Sequence, residues 1–254
     1  MKPLILITND DSIHSKGIRT LIEVMAEIGE IVVVAPDSHM SGMSHAITLN
    51  SLLRLKKSKL FPNIEAYECS GTPADCVKIA KHEILKGRKI DLVVSGINHG
   101  LNTSISVLYS GTMAATLEAG LEGIPAIGFS MDDFASDADF SHIKTPIKSI
   151  AKSVLENGNS QKLILNVNFP AKNSEEIRGI KICRQNKGNW IESFEKRLDM
   201  SGKPYYWMGG GFEDSEPEAD DTDVWAVKNN YISIVPCQID LTNYSQIETL
   251  KSIF

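Results

Sequence analysis

Residues 31–35 read Ile-Val-Val-Val-Ala, with no polar side chain to turn toward water. A strand of this kind has to be covered on both faces, as strands are inside a parallel sheet flanked by helices. Two more runs share this character: Leu4 to Thr8, and Asp91 to Gly96 with Leu92, Val93 and Val94 inside it. Between these runs the apolar period lengthens from two to about 3.6 residues. Ile18, Leu21, Ile22, Met25 and Ile28 fall on one helical stripe that Gly29 ends. Thr72-Pro73-Ala74-Asp75 is a capping signature with proline in the first helical position, followed by Cys76, Ala80 and Ile84 on one face. Ser110 to Glu122 reads as a further helix, with Met113, Leu117 and Leu121 on its stripe and Gly123 and Pro125 beyond its end. Alternation of strand and helix implies an α/β fold, a Rossmann-like three-layer arrangement around a mostly parallel sheet.

The alternation continues through a strand at Ile124 to Ser130, a helix near His142 to Glu156 and a strand at Leu163 to Phe169. From about Gly179 it gives way to short alternating runs, the glycine-rich "WMGGGF" and the stretch "EDSEPEADDTD", whose seven acids and no base predict a solvated loop. In "DVWAVKNNYISIVPCQIDLT" the near alternation at Val224, Ala226, Ile232 and Ile234, split by Asn229-Asn230, predicts a hairpin. The chain therefore divides into a core at 1–178 and a β-rich extension at 179–254 that projects for oligomerisation. No internal repeat is evident.

Composition removes several function classes. No apolar run approaches the roughly 20 residues that cross a bilayer, and the chain passes from Met-Lys directly into a strand without a signal-peptide pattern, which places it in the cytoplasm with no membrane partner. Cys69, Cys76, Cys183 and Cys237 lack paired metal-ligand spacing and read as reduced structural thiols. A net charge of −6 argues against a stable nucleic-acid partner, because phosphate backbones are gripped by basic patches.

Ligands of open α/β sheets bind at the carboxyl ends of the strands. Three unusual segments fall there: Asn9-Asp10-Asp11-Ser12, Pro36 to His45, and a loop at Ser95-Gly96-Ile97-Asn98-His99-Gly100. Adjacent carboxylates at a buried strand end repel, and desolvation raises the cost of ionising both, unless a cation neutralises them. Oxygen ligands suit magnesium or manganese better than zinc. The plainer reading of Asp10 and Asp11, capping of the helix that begins near Gly17, accounts for one acid and not two. Ser41, Gly42 and Ser44 expose N–H groups and hydroxyls as anion sites do, though serine and glycine also make ordinary turns. Ser110-Gly111-Thr112 opens a helix whose free N–H groups would receive a phosphate, or is simply an N-cap.

Taken together, "ILITNDDS", "VVAPDSHMSGMSHAITL", "GTPADCVKIA", "DLVVSGINHGLN" and "VLYSGTMAATLEA", with the later "NVNFP", "YYWMGGG", "TDV" and "NNYISIVPCQIDLT", resemble the SurE family of metal-dependent nucleotidases. The resemblance covers nearly the whole chain. It implies hydrolysis of nucleoside 5'- and 3'-monophosphates, with short polyphosphate as a further family substrate, and a swapped C-terminal arm forming homodimers or homotetramers. It implies one divalent metal ion, Mg2+ or Mn2+, per subunit, held by Asp10, Asp11, Ser41 and Asn98. It also sets Asn9 and the Ser110-Gly111-Thr112 turn against the substrate phosphate. Two departures stand out: Ser12 replaces the family's usual glycine, which would alter the backbone beyond the metal loop, and Ser38-His39-Met40 replaces a more basic stretch. The second favours monophosphate over polyphosphate as substrate.

Such a site works chiefly by positioning and charge neutralisation. Asp10 or Asp11 would orient the attacking water; direct attack by an aspartate is chemically open as well. His45 and His99 are the candidates for protonating the leaving oxygen. The rival readings are a magnesium-binding phospho-receiver domain and a non-catalytic nucleotide-binding module. A receiver needs an acceptor aspartate where this chain has Ser95-Gly96-Ile97-Asn98. A haloacid-type phosphatase needs two aspartates separated by one residue, and a nicotinamide-binding enzyme needs G-x-G-x-x-G after the first strand; neither pattern is present.

Overall fold

The computed structural model describes residues 2–157, 162–172 and 175–254. In chain order the elements are β1 (Leu4–Thr8), α1 (Lys16–Ala26), β2 (Glu30–Pro36), β3 (Leu55–Lys57), β4 (Glu65–Cys69), α2 (Pro73–Ile79), β5 (Leu92–His99), α3 (Gly111–Leu121), β6 (Ala126–Met131), α4 (Lys144–Asn157), β7 (Ile164–Phe169), β8 (Ile180–Ile182), β9 (Asn189–Leu198), β10 (Pro204–Glu213), α5 (Asp223–Lys228), β11 (Ile232–Pro236) and α6 (Tyr244–Lys251). One sheet runs in the order β3-β4-β2-β1-β5-β6-β7-β11-β8. The six strands from β4 to β7 are parallel, and β3 and β11 join them antiparallel to β4 and β7.

The unbroken apolar runs are covered on both faces, as the sequence requires. Ile5 and Ile7 face a core shared with Ile18, Leu21 and Met25 of α1 and Ile147 and Ile150 of α4. Leu4 and Leu6 face the opposite core, built with Cys76 and Val77 of α2 and Ala115 and Ala119 of α3. Full burial of each large aliphatic side chain here contributes about 1.5–3 kcal/mol. After β1 the chain crosses outward to β2 and β4, then returns to place β5 on the other side of β1. The loops leaving β1 and β5 therefore diverge, and the opening between them is the topological switch point where α/β sheets take ligands.

Several local expectations hold. Thr72 and Asp75 form a reciprocal capping box at α2, and Ser110 caps α3. All four cysteines are unbridged, and Cys69, Cys76 and Cys183 are buried. Other expectations need correction. The segment Ser95 to His99 is not a loop but the end of β5, which stays paired with β6 past a register shift between Ser95 and Asn98. Gly96 sits at that irregularity with φ +127°, where a Cβ would lie 2.3 Å from the Phe129 carbonyl oxygen. The short strands β3 and β4 carried no periodic signal of their own.

The predicted hairpin around Asn229-Asn230 is instead a helix followed by a strand. Thr222 caps α5 through the Trp225 N–H, and Val224, Ala226 and Val227 are buried at helical spacing. Asn230 takes φ +64° just after the helix end, which is the usual conformation for stopping a helix. Two alternating positions, Val224 and Ala226, were too few to tell the two periods apart. The acidic stretch is the solvated loop expected up to Asp221, and only its end is drawn inside. Asp223 is buried and accepts the N–H groups of Ser104, Asn186 and Val224, while Arg184 pairs with Glu216 and Asp221.

Beyond Gly179 the chain both completes the sheet, through β8 and β11, and leaves it. Among the described residues, strands β9 and β10 pair only with each other, and they expose Trp190, Phe194, Tyr206, Trp207 and Met208. No residue of α6 is buried. Among the described residues no helix is long and apolar enough to cross a membrane.

Candidate active site at the carboxyl ends of β1 and β5

Strand β1 ends buried, so the loop that follows starts inside the protein. Asn9 is 0% exposed, Asp10 3% and Asp11 7%. Neither acid caps α1, whose first turn is capped by Ser15. Asn9 fixes the loop: its amide nitrogen donates to the Ser12 carbonyl at 2.8 Å and to Ser15 Oγ at 2.9 Å. Both amide hydrogens are thereby used within the loop, leaving Asn9 Oδ1 as a buried oxygen without a hydrogen-bond donor. Ser12 reaches φ +76°, so it keeps the left-handed backbone that a glycine would supply rather than rerouting the chain.

The start of α3 packs directly on Asp10. Thr112 Oγ1 donates to Asp10 Oδ1 at 2.6 Å. Gly111 lies so close that a Cβ would sit 2.8 Å from Asp10 Cβ and 3.0 Å from Oδ2, so only glycine fits without displacement. The Ser110 hydroxyl accepts the Met113 N–H at 3.0 Å, which is the N-cap role, and the same turn faces the acids. Asp11 Oδ2 accepts the His99 N–H at 3.2 Å, which ties the first loop to the end of β5. Beside it, the Asn98 amide nitrogen donates to the Gly100 carbonyl at 2.8 Å, leaving Oδ1 as its remaining acceptor.

The serine loop after β2 spans the same opening. The Met40 N–H donates to the Asp10 carbonyl at 2.8 Å, so Ser41 follows directly on a residue pinned to the acid loop. At the loop's far side, Ser44 donates from N to the Tyr109 carbonyl at 3.1 Å and from Oγ to the Leu108 carbonyl at 2.6 Å. Between these anchors Ser41 is exposed, and Gly42 adopts φ +71° with open space around it. The sequence-predicted residues thus come from four segments to one place: Asn9, Asp10 and Asp11; Ser41, Gly42 and Ser44; Asn98; and Ser110, Gly111 and Thr112.

Burial, then the neighbouring Asp11 charge, push the Asp10 carboxyl up to about 6, with the Thr112 hydrogen bond opposing them. Two carboxylates in a desolvated corner beside a partnerless buried oxygen form a site short of positive charge. The donors are all hard oxygens, which fit Mg2+ or Mn2+. Among the described residues no three His, Cys, Asp or Glu side chains cluster as a metal site.

The two candidate histidines separate. His45 Nε2 lies 3.0 Å from Glu118 Oε2, whose other oxygen accepts Lys78 Nζ at 2.6 Å, so His45 anchors the serine loop to α3. His99 Nδ1 lies 2.8 Å from the Ala135 carbonyl, which can only accept, so Nδ1 carries a proton and Nε2 is left for other chemistry. His39, which the sequence marked only as a substitution for a more basic residue, has Nδ1 4.0 Å from Asp11 Oδ1.

Sequence reasoning also missed the scaffold behind the site. The Asn102 N–H and side chain bond to Asn168 Oδ1 and Ser130 Oγ, and Asn166 donates to the Asn102 carbonyl. The available signal was "NVNFP": two asparagines at alternate positions of an otherwise apolar strand, on one face of β7.

The family model described as survival protein SurE matches residues 5–192. A 5'-nucleotidase SurE from Cytophaga hutchinsonii is 61% identical over 250 residues, covering 98% of this chain and 96% of that protein. One from Flavobacterium psychrophilum is 56% identical over 252 residues, covering 99% and 97% respectively. Among solved structures, the SurE protein from Aquifex aeolicus matches with a TM-score of 0.84 at 39% identity, over 99% of both chains. The chain belongs to the SurE family.

Proposed function

We propose that the chain is a divalent-metal-dependent phosphomonoesterase that hydrolyses nucleoside 5'-monophosphates, and 3'-monophosphates with them, to nucleoside and inorganic phosphate. The observation that carries this reading is the contact of Gly111 and Thr112 with Asp10. A helix N-terminus, which favours a phosphate, is pressed against Asp10, the first of two adjacent carboxylates, which repel one. A cation between acids and phosphate reconciles them. The name borne by the relatives supplies the nucleotide as the substrate class.

Asp10, Asp11, the Ser41 hydroxyl and the Asn98 amide oxygen would hold one Mg2+ or Mn2+ per subunit. Bound there, the ion would supply charge neutralisation for the phosphoryl group and an acidified water. The free N–H groups at the start of α3 bind the phosphate, helped by the Gly42 and Ser44 segment of the serine loop. Asn9 holds the acid loop in shape through Ser12 and Ser15. Asp11, which borders the open cavity, orients the attacking water. His99 Nε2 delivers the proton to the departing ribose oxygen, since His45 is committed to Glu118. The exposed apolar arm of β9 and β10 supports a homodimer or homotetramer, because aromatic surface of that extent is normally covered. We place the enzyme in the cytoplasm, in line with its reduced cysteines. A phospho-receiver has no support, because β5 ends on Ser95-Gly96-Ile97-Asn98 and offers no acceptor carboxylate.

The test is phosphate release from a panel of 5'- and 3'-nucleoside monophosphates with manganese, magnesium or chelator, comparing the protein with Asp10→Asn. Release that requires metal and is lost in the folded variant supports the assignment. No release with any metal overturns it.

A further inference from the structure

Beside the acids lies a cavity of about 520 Å³, a size typical of small-molecule pockets, and Asp11 forms part of its wall. His39 and His99 flank the acid, and Arg19, Phe134 and Ser136 line the rest. Phe134 is 79% exposed and stands three residues beyond Met131, the buried end of β6. Its ring lies against Gly100: a Cβ there would come within 2.3 Å of Phe134 Cε1. The missing side chain at Gly100, which adopts φ +101°, is what lets the ring close against the cavity wall.

The segment that carries the ring is fixed from several sides. Asp133 Oδ1 accepts the Ala135 N–H at 2.9 Å, and the Ala138 N–H donates to the Ala135 carbonyl at 3.0 Å. Lys16 Nζ reaches the Asp137 carbonyl at 2.8 Å from the first turn of α1, and His99 Nδ1 holds the Ala135 carbonyl. A single exposed phenylalanine needs no explanation. A braced one, at the mouth of a cavity that opens onto a candidate catalytic carboxylate, is placed for a ligand. Arg19 adds to this, since among the described residues it has no carboxylate partner.

We propose that this cavity receives the nucleobase of the substrate, with Phe134 as the stacking platform and Arg19 as the cation beside it. The proposal rests on the phosphomonoesterase reading and adds a specificity-determining residue to it. Base–aromatic stacking tolerates every base, because each presents a π-face, and a planar guanidinium stacks in the same way. The enzyme therefore accepts all the common bases and binds purines, with their larger face, more tightly than pyrimidines.

The test uses the full chain with manganese and measures kcat and KM for adenosine and cytidine 5'-monophosphate and for ribose 5-phosphate, which keeps the leaving alcohol and lacks the base. Phe134→Ala should lower the ratio of kcat/KM for the nucleotide to that for ribose 5-phosphate by roughly 5- to 100-fold, through KM and more for adenosine than for cytidine. Phe134→Trp should restore the ratio, which a merely structural role would not predict. A ratio that Phe134→Ala leaves unmoved, while the wild type turns nucleotides over, overturns the platform alone. Absence of wild-type turnover on every nucleotide removes the phosphomonoesterase reading and the platform with it.

Discussion

Replacing Asp10 by asparagine should make the metal-free protein more stable at neutral pH. The Asp10 carboxyl titrates at about 6 in the folded protein against 3.8 in the free side chain, because it is buried beside Asp11. The folded state thus binds the proton more tightly than the unfolded chain. Stability from this group is complete below pH 3.8 and is lost as pH rises through about 6. At about 1.4 kcal/mol per tenfold change in proton affinity, the loss by pH 7.5 is about 3 kcal/mol. Asparagine removes the charge and keeps an oxygen for the Thr112 hydroxyl, whose hydrogen bond to the ionised carboxylate is already contained in the value of about 6. The net expectation is a gain of about 3 kcal/mol at pH 7.5, falling to about 1.5 kcal/mol at pH 5 and vanishing below pH 3.8. Urea unfolding of chelator-treated protein at both pH values measures it. Millimolar manganese should then stabilise the wild type and leave the variant unmoved, since a ligand stabilises only the state that binds it. An Asp10→Asn protein no more stable than the wild type at pH 7.5 without metal, or equally stabilised at both pH values, would refute the reasoning that the two acids repel in a desolvated corner.

Three other substitutions test parts of the structure separately. Gly111→Ala pushes a methyl group to within 2.8 Å of Asp10 Cβ, so the start of α3 must retreat; phosphate release should fall by about 100-fold in kcat/KM while the far-ultraviolet circular dichroism is kept. Ser12→Gly relieves a serine at φ +76°, and after the added chain entropy of glycine it should raise stability in chelator by about 0.5 kcal/mol; a loss on urea unfolding would contradict the strain. Glu118→Gln breaks the bridge between Lys78 and His45 at a residue 2% exposed, and should cost about 1–3 kcal/mol, given that Lys78 is partly solvated. It should also raise the manganese concentration needed for half-maximal activity, because His45 anchors the loop that carries Ser41; an unchanged metal requirement would separate the anchor from the site.

The sequence by itself determined what depends on neighbours along the chain. Unbroken apolar runs such as Ile31 to Ala35 require two covered faces, and the caps at Thr72 and Ser110 satisfy orphan N–H groups within three residues. These local demands were enough for the layer order and for the location of the acids. Where local signals conflicted, the sequence was a poor guide: Val224 and Ala226 fit either period, and only burial against the sheet and the Thr222 cap made the segment a helix. The tertiary structure alone decided which distant residues meet. Gly111 faces Asp10, Glu118 joins His45 to Lys78, and the backbone at Gly100 gives Phe134 its place, each across a gap in sequence that no periodicity spans. β5 continues through Asn98 because β6 offers it hydrogen bonds, a matter of sheet register rather than composition. Propensity and capping act over a few residues, whereas a site is made by contacts whose partners are chosen only when the chain closes into its sheet.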